Sequence, residues 1–302
     1  MTKTKTPMSK TKKLLYSIGG VYVLGIVLLV VIFGFGHKNN TFQIQNEFQL
    51  INWVHLGVFS INRAVVYLFL AAVLTVVTTV WIANRMQQRP NKVQTAVEVL
   101  FSLMRDNITR GNMDNAMAAK WFPFLGALFL FIWFSNLIGY IPLPTNSGET
   151  FNVFGAHIPD FALYAATANI SVPLVLALVV FIAFNWQGVR TQGPIGYVKS
   201  LLPGGVHGPM AIFIGGLEIV STFMRLISLT IRLFANILAG HLIILFMAGG
   251  LAVILGLSFL GWFTLPIGVL IYLFELGLVA TLQAFIFATL AAIYLGGAVT
   301  HH

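Results

Sequence analysis

Residues 210–257 read MAIFIGGLEIVSTFMRLISLTIRLFANILAGHLIILFMAGGLAVILGL, an apolar stretch that is longer than one membrane crossing needs. A second apolar stretch runs from about Phe259 to Val299. The stretches are 48 and about 41 residues long, about 72 and 62 Å as straight helices, whereas the hydrocarbon core is about 30 Å thick. Each stretch is therefore either a broken pair of spans or one strongly tilted helix. The glycines around Gly249 and Gly250 suit a hairpin between the two stretches.

The composition of the whole chain indicates a membrane protein. Charged residues make up 8% and hydrophobic residues 58% of the 302 residues, and the mean hydropathy is +0.89. Soluble domains carry roughly 25% charged residues, so most of this exterior must face lipid. The absence of cysteine excludes a thiol nucleophile and a Cys-ligated metal site. The sequence also lacks the P-loop motif, which excludes nucleotide binding in a P-loop, and it lacks the zinc-protease and nucleophile-elbow motifs; we predict no cofactor.

Four shorter apolar runs have the length of single spans. The first follows a basic start, is long for the apolar core of a signal peptide and lacks a small-residue cleavage site. We interpret it as a retained span, with a cleaved leader or a different N-terminal location as the alternatives. With the two long stretches, these runs predict an all-α polytopic membrane protein with about six membrane helices. The runs are Leu14–Phe35, Val65–Ala83, Trp121–Ile141 and about Ala168–Trp186.

The basic residues predict the orientation. With the N-terminus inside, 13 of the 17 Lys and Arg residues fall in inner segments, and only Lys38 and Arg63 fall in outer ones. This bias follows the positive-inside rule. The formal net charge of +9 therefore reflects topology, and nucleic-acid binding is not predicted.

The inner segment after the second span has an amphipathic pattern. Beyond Pro90, apolar residues from Val93 to Leu103 recur near helical spacing, with basic residues nearby. The pattern is typical of a helix lying along the inner membrane surface. An ordinary surface helix of an inner loop fits it equally well.

The polar residues of the first long stretch form two sets. Glu218, Arg225 and Arg232 are seven residues apart, so they lie along one stripe of an otherwise apolar helix. His241 follows Arg232 by nine residues, which places it on the opposite face and about 13 Å further along. One helix can therefore border two separate aqueous pockets. Ser221, Ser228 and Asn236 lie close to the stripe.

The chemistry of these groups separates their roles. Arginine stays protonated and cannot pass a proton on, yet it can attract and release a carboxylate. His241 and Glu275 can titrate and relay protons. Structural interpretations remain open: Ser228 and Asn236 are also typical of helix packing, and Glu218 can pair with Arg225 two turns on.

Three stretches resemble subunit a of the F-type ATP synthase. SLTIRLFANILAGHL (Ser228–Leu242) is similar to the family's arginine helix, with Arg232 and Asn236 on its arginine and asparagine. LQAFIFATLAAIYL (Leu282–Leu295) resembles its closing helix, with Gln283 on its glutamine. PFLGALFLFIWFSNLIGYIP (Pro123–Pro142) resembles its middle span, including Asn136. The similarity covers about residues 50–299.

The resemblance implies a stator subunit, not an enzyme by itself, beside which a ring of c subunits turns. Two offset half-channels would lead protons to and from a carboxylate on each c subunit, and Arg232 would prevent a short circuit. Glu218 and Ser228 would belong to the inner half-channel, and His241 and Glu275 to the outer one. The implied partners are the c-ring, peripheral-stalk b-type subunits, the remaining ATP synthase subunits and membrane lipid. The implied location is a bacterial cell membrane, with both termini in the cytoplasm.

The chain departs from the family pattern in two places. Glu275 precedes Gln283 by eight residues, about 80° around a regular helix, whereas the family's partner residue is seven before. The basic start and first span also exceed the shorter family members. We therefore divide the chain into an N-terminal extension with its helix, 1–45, and the subunit a membrane domain, 46–299. A self-contained secondary ion or solute transporter is the alternative, although no internal repeat is evident.

Overall fold

The structure of the protein, a computed structural model, describes residues 10–33, 52–56, 59–85, 92–141, 150–153, 156–159, 165–200, 209–247 and 260–299. Helices dominate these residues. They are α1 Lys10–Phe33, α2 Arg63–Arg85, α3 Lys92–Ser102, α4 Asn115–Gly139, α5 Ser171–Gln192, α6 Pro194–Ser200, α7 Pro209–Leu245, α8 Leu260–Phe274 and α9 Ala280–Gly297.

Five helical segments of the described residues are long and apolar enough to cross a membrane: Ala64–Asn84, Asn115–Gly139, Ser171–Gln192, Ile212–Leu245 and Leu260–Gly297. The predicted all-α polytopic membrane fold is thereby confirmed. The first predicted span, Leu14–Phe35, coincides largely with α1 but is not among these five, and its insertion stays a prediction. The fourth predicted span forms a helix from Ser171, three residues later than the predicted start at Ala168. Asn169 Oδ1 accepts the backbone N–H of Ser171 at 3.0 Å, which favours a helix start at this point.

The described parts of the two long stretches form helices without a full break. Helix α7 is continuous over 37 residues, about 55 Å at 1.5 Å per residue. Helices α8 and α9 join through one π turn, Glu275–Val279. The alternative of broken pairs of spans is therefore wrong for the described residues. The joint at 248–259 lies outside them, and the tilt of the helices in the bilayer stays a prediction.

Two small β-hairpins occur in segments that the basic residues assign to the outer side. Strands Asn52–Leu56 and Phe59–Asn62 pair antiparallel, with His55 opposite Ser60. Strands Thr150–Val153 and Ala156–Pro159 pair in the same way. The apolar periodicity of the spans gives no signal for either hairpin.

The chain divides into two compact units. The smaller one comprises residues 1–46 and 242–272. Within it, the rings of Tyr22 and Trp262 lie 6.5 Å apart, and Gly268 lies against the backbone of Met247. The larger unit comprises residues 47–241 and 273–302, which include Arg232, His241 and Glu275.

The core of the larger unit is built around α4 and α9. Helix α4 packs against both α2 and α9. The buried side of α9 is rich in alanine, which allows close helix approach in a membrane. A side chain on Gly296 would overlap the backbone oxygen of Asn112, so the segment before α4 lies directly on the end of α9. The buried alanines of α9 are Ala280, Ala284, Ala288, Ala291 and Ala292.

Helix α7 runs antiparallel to α9 in this unit. The Arg225 guanidinium lies 5.5 Å from the ring centre of Tyr294, and Gly240 contacts Glu275. Later positions of α7 therefore contact earlier positions of the final helix. This arrangement agrees with the predicted hairpin.

The amphipathic inner segment is helical as predicted. Helix α3 continues into a π-helical segment, Leu103–Arg110. Its Met104 and Ile108 are buried, 6% and 1% exposed, whereas Val99 is 61% exposed. The segment therefore has one face against the core and one outward. Its contact with the membrane surface stays a prediction.

Candidate functional site

Arg232 lies on the exposed side of α7. Asn236 and Ser228, one turn after and before it, are exposed with it. The adjacent Leu233 points inward and is 1% exposed. Within the described part of the chain, Arg232 takes no part in an ion pair. A cation near the middle of the span Ile212–Leu245 is thus open to an acidic group from outside this chain.

His241 lies on the other side of α7 and is 2% exposed. Its Nδ1 is 2.9 Å from the backbone oxygen of Ile237, and its Nε2 is 3.2 Å from that of Gly139. A neutral imidazole can donate to only one of these oxygens, whereas a doubly protonated ring can donate to both. The Tyr140 ring packs at 4.6 Å from the imidazole. His241 is therefore fixed at the junction of α7 with the end of α4.

Glu275 completes this buried cluster. The hydroxyl of Tyr140 donates to Oε2 of Glu275 at 3.1 Å, and Glu275 is 8% exposed. A methyl group on Gly240 would overlap the carboxylate, which shows how closely α7 approaches it. Tyr140 thus contacts both His241 and Glu275, the two titratable groups that the sequence predicts for one site.

Tyr140 is a site residue that the sequence pattern does not reveal. Tyrosine is common at the ends of membrane spans, where its ring lies at the interface. Its place directly after α4 is therefore unremarkable in sequence. The fold buries it completely, at 0% exposure, and a buried phenol needs a partner for its hydroxyl.

The π turn corrects the predicted facing of Glu275 relative to Gln283. A π turn holds one more residue than an α turn. The eight positions from Glu275 to Gln283 pass through this π turn. They therefore rotate the chain about as far as seven positions of a regular α-helix, which is nearly two full turns. Both side chains lie on the buried side, 8% and 6% exposed. The expected offset of about 80° is wrong because it assumed a regular α-helix throughout.

We expect deletion of Gly277 to lower the thermal unfolding midpoint of the purified protein by less than about 4 °C, because a regular α turn can replace the π turn. Gly277 is exposed, and a Cβ atom added there would meet no other atom within 4 Å, so no packing is lost. The measurement is thermal unfolding of the protein in detergent. The matched control deletes Ile293, which is 43% exposed but lies within regular α9. That deletion rotates the following residues by about 100° and should lower the midpoint further; an equal loss in both deletions would contradict the prediction.

Asn136 is buried at 0% exposure and links three elements. Its Oδ1 accepts the Thr167 hydroxyl at 2.7 Å, and its Nδ2 donates to the backbone oxygen of Ala280 at 3.3 Å. One turn earlier, Trp133 Nε1 donates to Thr281 Oγ1 at 3.0 Å. These contacts hold α4 against the helix segment that follows the π turn. Asn136 thereby supports the position of Glu275.

A second polar cluster lies near the start of α7. Glu218 and Arg225 form an ion pair, with Oε1 and Nη2 3.4 Å apart, and both side chains are partly exposed. The Tyr197 hydroxyl donates to Asn185 Oδ1 at 2.7 Å. Burial raises the pKa of Tyr197, Arg225 lowers it, and Glu218 raises it, so this tyrosine lies within reach of both charges. Tyr294 supplies the ring beside Arg225.

The two clusters lie at different depths on either side of Arg232. Glu218 precedes Arg232 by 14 residues, about 21 Å of helix, and His241 follows it by nine, about 13 Å. Ionisable side chains inside membrane spans are costly and mark pathways for ions and protons. The fold and these groups together define an ion-conducting class of polytopic membrane protein.

The comparison with protein families gives the particular family. The family model of the ATP synthase A chain matches residues 65–296. The chain belongs to this family, and it is a non-catalytic stator subunit of an F-type ATP synthase.

Bacterial relatives share most of its length. The chain is 34% identical to ATP synthase subunit a of Rubrobacter xylanophilus over 85% of this chain and 91% of that protein. It is 31% identical to ATP synthase subunit a of Frankia alni over 84% of each. It is 32% identical to ATP synthase subunit a 2 of Chlorobaculum tepidum over 87% of this chain and 71% of that protein.

Proposed function

We propose that the chain provides two proton half-channels to and from a rotating c-ring, and thereby couples transmembrane proton flow to ATP synthesis. One observation carries the proposal. Arg232 is exposed on one side of α7, while His241 is buried on the other side in a cluster with Tyr140 and Glu275. Helix α7 thus stands between two groups of polar residues that belong to different faces and depths.

The outer half-channel ends at the buried cluster. Glu275 and His241 accept and release protons there, since both can titrate. Gln283 lies on the same buried side of the final helix as Glu275 and provides a neutral polar group along the route. Asn136 holds the helices that frame the route through its bonds to Thr167 and Ala280.

The inner half-channel begins at the Glu218 cluster. The Glu218 carboxylate is partly exposed, so it is accessible to water from that side. Its partner Arg225 provides a positive charge 3.4 Å away. Ser228, on the exposed side of the next turns, continues the polar route toward Arg232.

Arg232 separates the two routes. A c-ring carboxylic acid that has released its proton to the inner side becomes a carboxylate, which Arg232 attracts as the ring turns. Once past, the carboxylate accepts a proton from the outer side and becomes neutral. Arg232 keeps its own protons throughout, so no proton crosses without ring rotation. Asn236, one turn along the same exposed side, adds an amide that can hydrogen-bond to the passing group.

We further infer where the chain acts and with which subunits. The exposed side of Arg232 suits a c-ring, and the outward faces of the other spans suit b-type subunits and lipid. The bias of basic residues toward inner segments supports a cytoplasmic location of both termini. The relatives named above are bacterial, which supports a bacterial cell membrane.

We expect proton transport only from the assembled complex. The experiment reconstitutes the purified ATP synthase containing this chain, and separately the chain alone, into liposomes. ATP-driven acidification by the complex, and no saturable transport by the chain alone, is the expected result, because the mobile carboxylate belongs to another subunit. Saturable solute or ion uptake by the chain alone would instead support a self-contained transporter. Repeating the pumping with and without sodium tests whether protons are the transported ion.

A further inference from the structure

The buried phenol of Tyr140 stands between the two titratable groups of the outer cluster. Its hydroxyl donates to Glu275 at 3.1 Å, and its ring packs on the His241 imidazole at 4.6 Å. The residue is fully buried, at 0% exposure. It follows α4 directly, so three elements meet at this side chain: the end of α4, helix α7 and the π turn.

We propose that Tyr140 is a positioning residue that keeps the Glu275 carboxyl group in place in both of its protonation states. The inference rests on the proposed function of Glu275 as a proton carrier. A phenol donates to an ionised carboxylate, and after rotation of its O–H it accepts from a protonated one. The proton that moves is the carboxyl proton, and Tyr140 keeps its own.

The packing around the carboxylate explains why one fixed partner matters. A methyl group on Gly240 would overlap the carboxylate. Helix α7 therefore leaves the carboxylate little space on that side. A methyl group on Gly139, just before Tyr140, would overlap Ala165, so the backbone that carries Tyr140 is closely packed as well. Without the hydroxyl, a carboxylate at 8% exposure would lose this donor when ionised.

The ring of Tyr140 links the carboxylate to His241. Both nitrogens of His241 already face backbone oxygens, of Ile237 and Gly139. The imidazole therefore meets Tyr140 through its face rather than through a hydrogen bond to the hydroxyl. The titratable groups of the cluster are Tyr140 directly after α4, His241 from α7 and Glu275 from the π turn. The tyrosine supplies the contact that keeps the other two in one arrangement.

The test is Tyr140→Phe in the intact complex, which removes the hydroxyl and keeps the ring. We expect the pumping rate to fall about fivefold. The part of the pH profile that depends on Glu275, which is the part missing in Glu275→Gln, should move to higher pH because the ionised carboxylate loses a hydrogen-bond donor. The double variant should pump no more slowly than Glu275→Gln alone, because both changes then act through one group.

A matched control removes a buried hydroxyl hydrogen bond outside the cluster. Thr75→Val deletes the bond from Thr75 Oγ1 to the backbone oxygen of Ala71 in α2, 2.7 Å long, and should leave the pH profile in place. If Tyr140→Phe does not assemble, 3,5-difluorotyrosine at position 140 replaces it. This analogue keeps the hydroxyl as a stronger donor and should move the same part of the pH profile to lower pH.

The outcomes separate this inference from the proposed function. An unchanged pH profile in Tyr140→Phe or the difluorotyrosine protein, while Glu275→Gln is impaired, overturns the role of Tyr140 alone. Normal pumping by Glu275→Gln overturns the proposed role of Glu275 itself. A double variant that is several-fold slower than Glu275→Gln also overturns the inference, since Tyr140 would then act independently of the carboxylate.

Discussion

Replacement of Arg232 by alanine is expected to abolish ATP-driven proton pumping. In the proposed mechanism, this variant leaves the c-ring carboxylate without a counterion while that carboxylate passes between the two half-channels. An uncompensated buried charge costs at least about 3 kcal/mol, and that figure corresponds to at least about a hundredfold in rate. The measurement is acidification of inverted membrane vesicles, together with ATP hydrolysis by the same complex.

Two further variants make this result specific. Arg232→Lys keeps a positive charge but presents it as a compact ammonium that can lose its proton when desolvated, so pumping should remain far below the parent rate. Arg190→Ala removes an exposed arginine near the end of α5, outside both polar clusters. It should pump like the parent. Full coupled pumping by Arg232→Ala would refute the assignment.

Replacement of Glu275 by glutamine should reduce pumping about tenfold or more, because the side chain keeps its size but no longer exchanges a proton. The amide oxygen can still accept from Tyr140, so the 3.1 Å contact has a neutral equivalent and the fold is preserved. Assembly should therefore be normal. The measurement is the pumping rate per assembled complex across pH.

The control for this variant is Glu98→Gln. Glu98 accepts a hydrogen bond from Gln94 at 2.7 Å within α3, far in sequence from the polar residues of α7. Its replacement tests whether any loss of a carboxylate slows the complex. Comparable slowing in both variants, or none in Glu275→Gln, would remove Glu275 from the proposed outer route.

The spans and the two-sided helix follow from local pattern. Apolar runs predict the spans because a bilayer requires about 20 such residues. The placement of Arg232 and His241 on opposite sides of α7 follows from its regular 100° rotation per residue, and the structure has one exposed and the other buried. The assumption of a regular α-helix therefore predicts the correct face of each side chain wherever the helix is regular. It gives the wrong relative facing of Glu275 and Gln283, because a π turn lies between them.

The sequence by itself determined an all-α membrane protein, its family and the intramembrane polar residues that we propose for proton transfer, since each depends on residue type and spacing along one chain segment. Only the tertiary structure decided which of them meet. Tyr140 and Glu275 are 135 positions apart, and His241 and Gly139 are 102 apart. Helical periodicity orients side chains within one helix and cannot say which helix lies opposite. That pairing comes from packing, above all from small residues such as Gly240 that allow α7 to approach the Glu275 carboxylate.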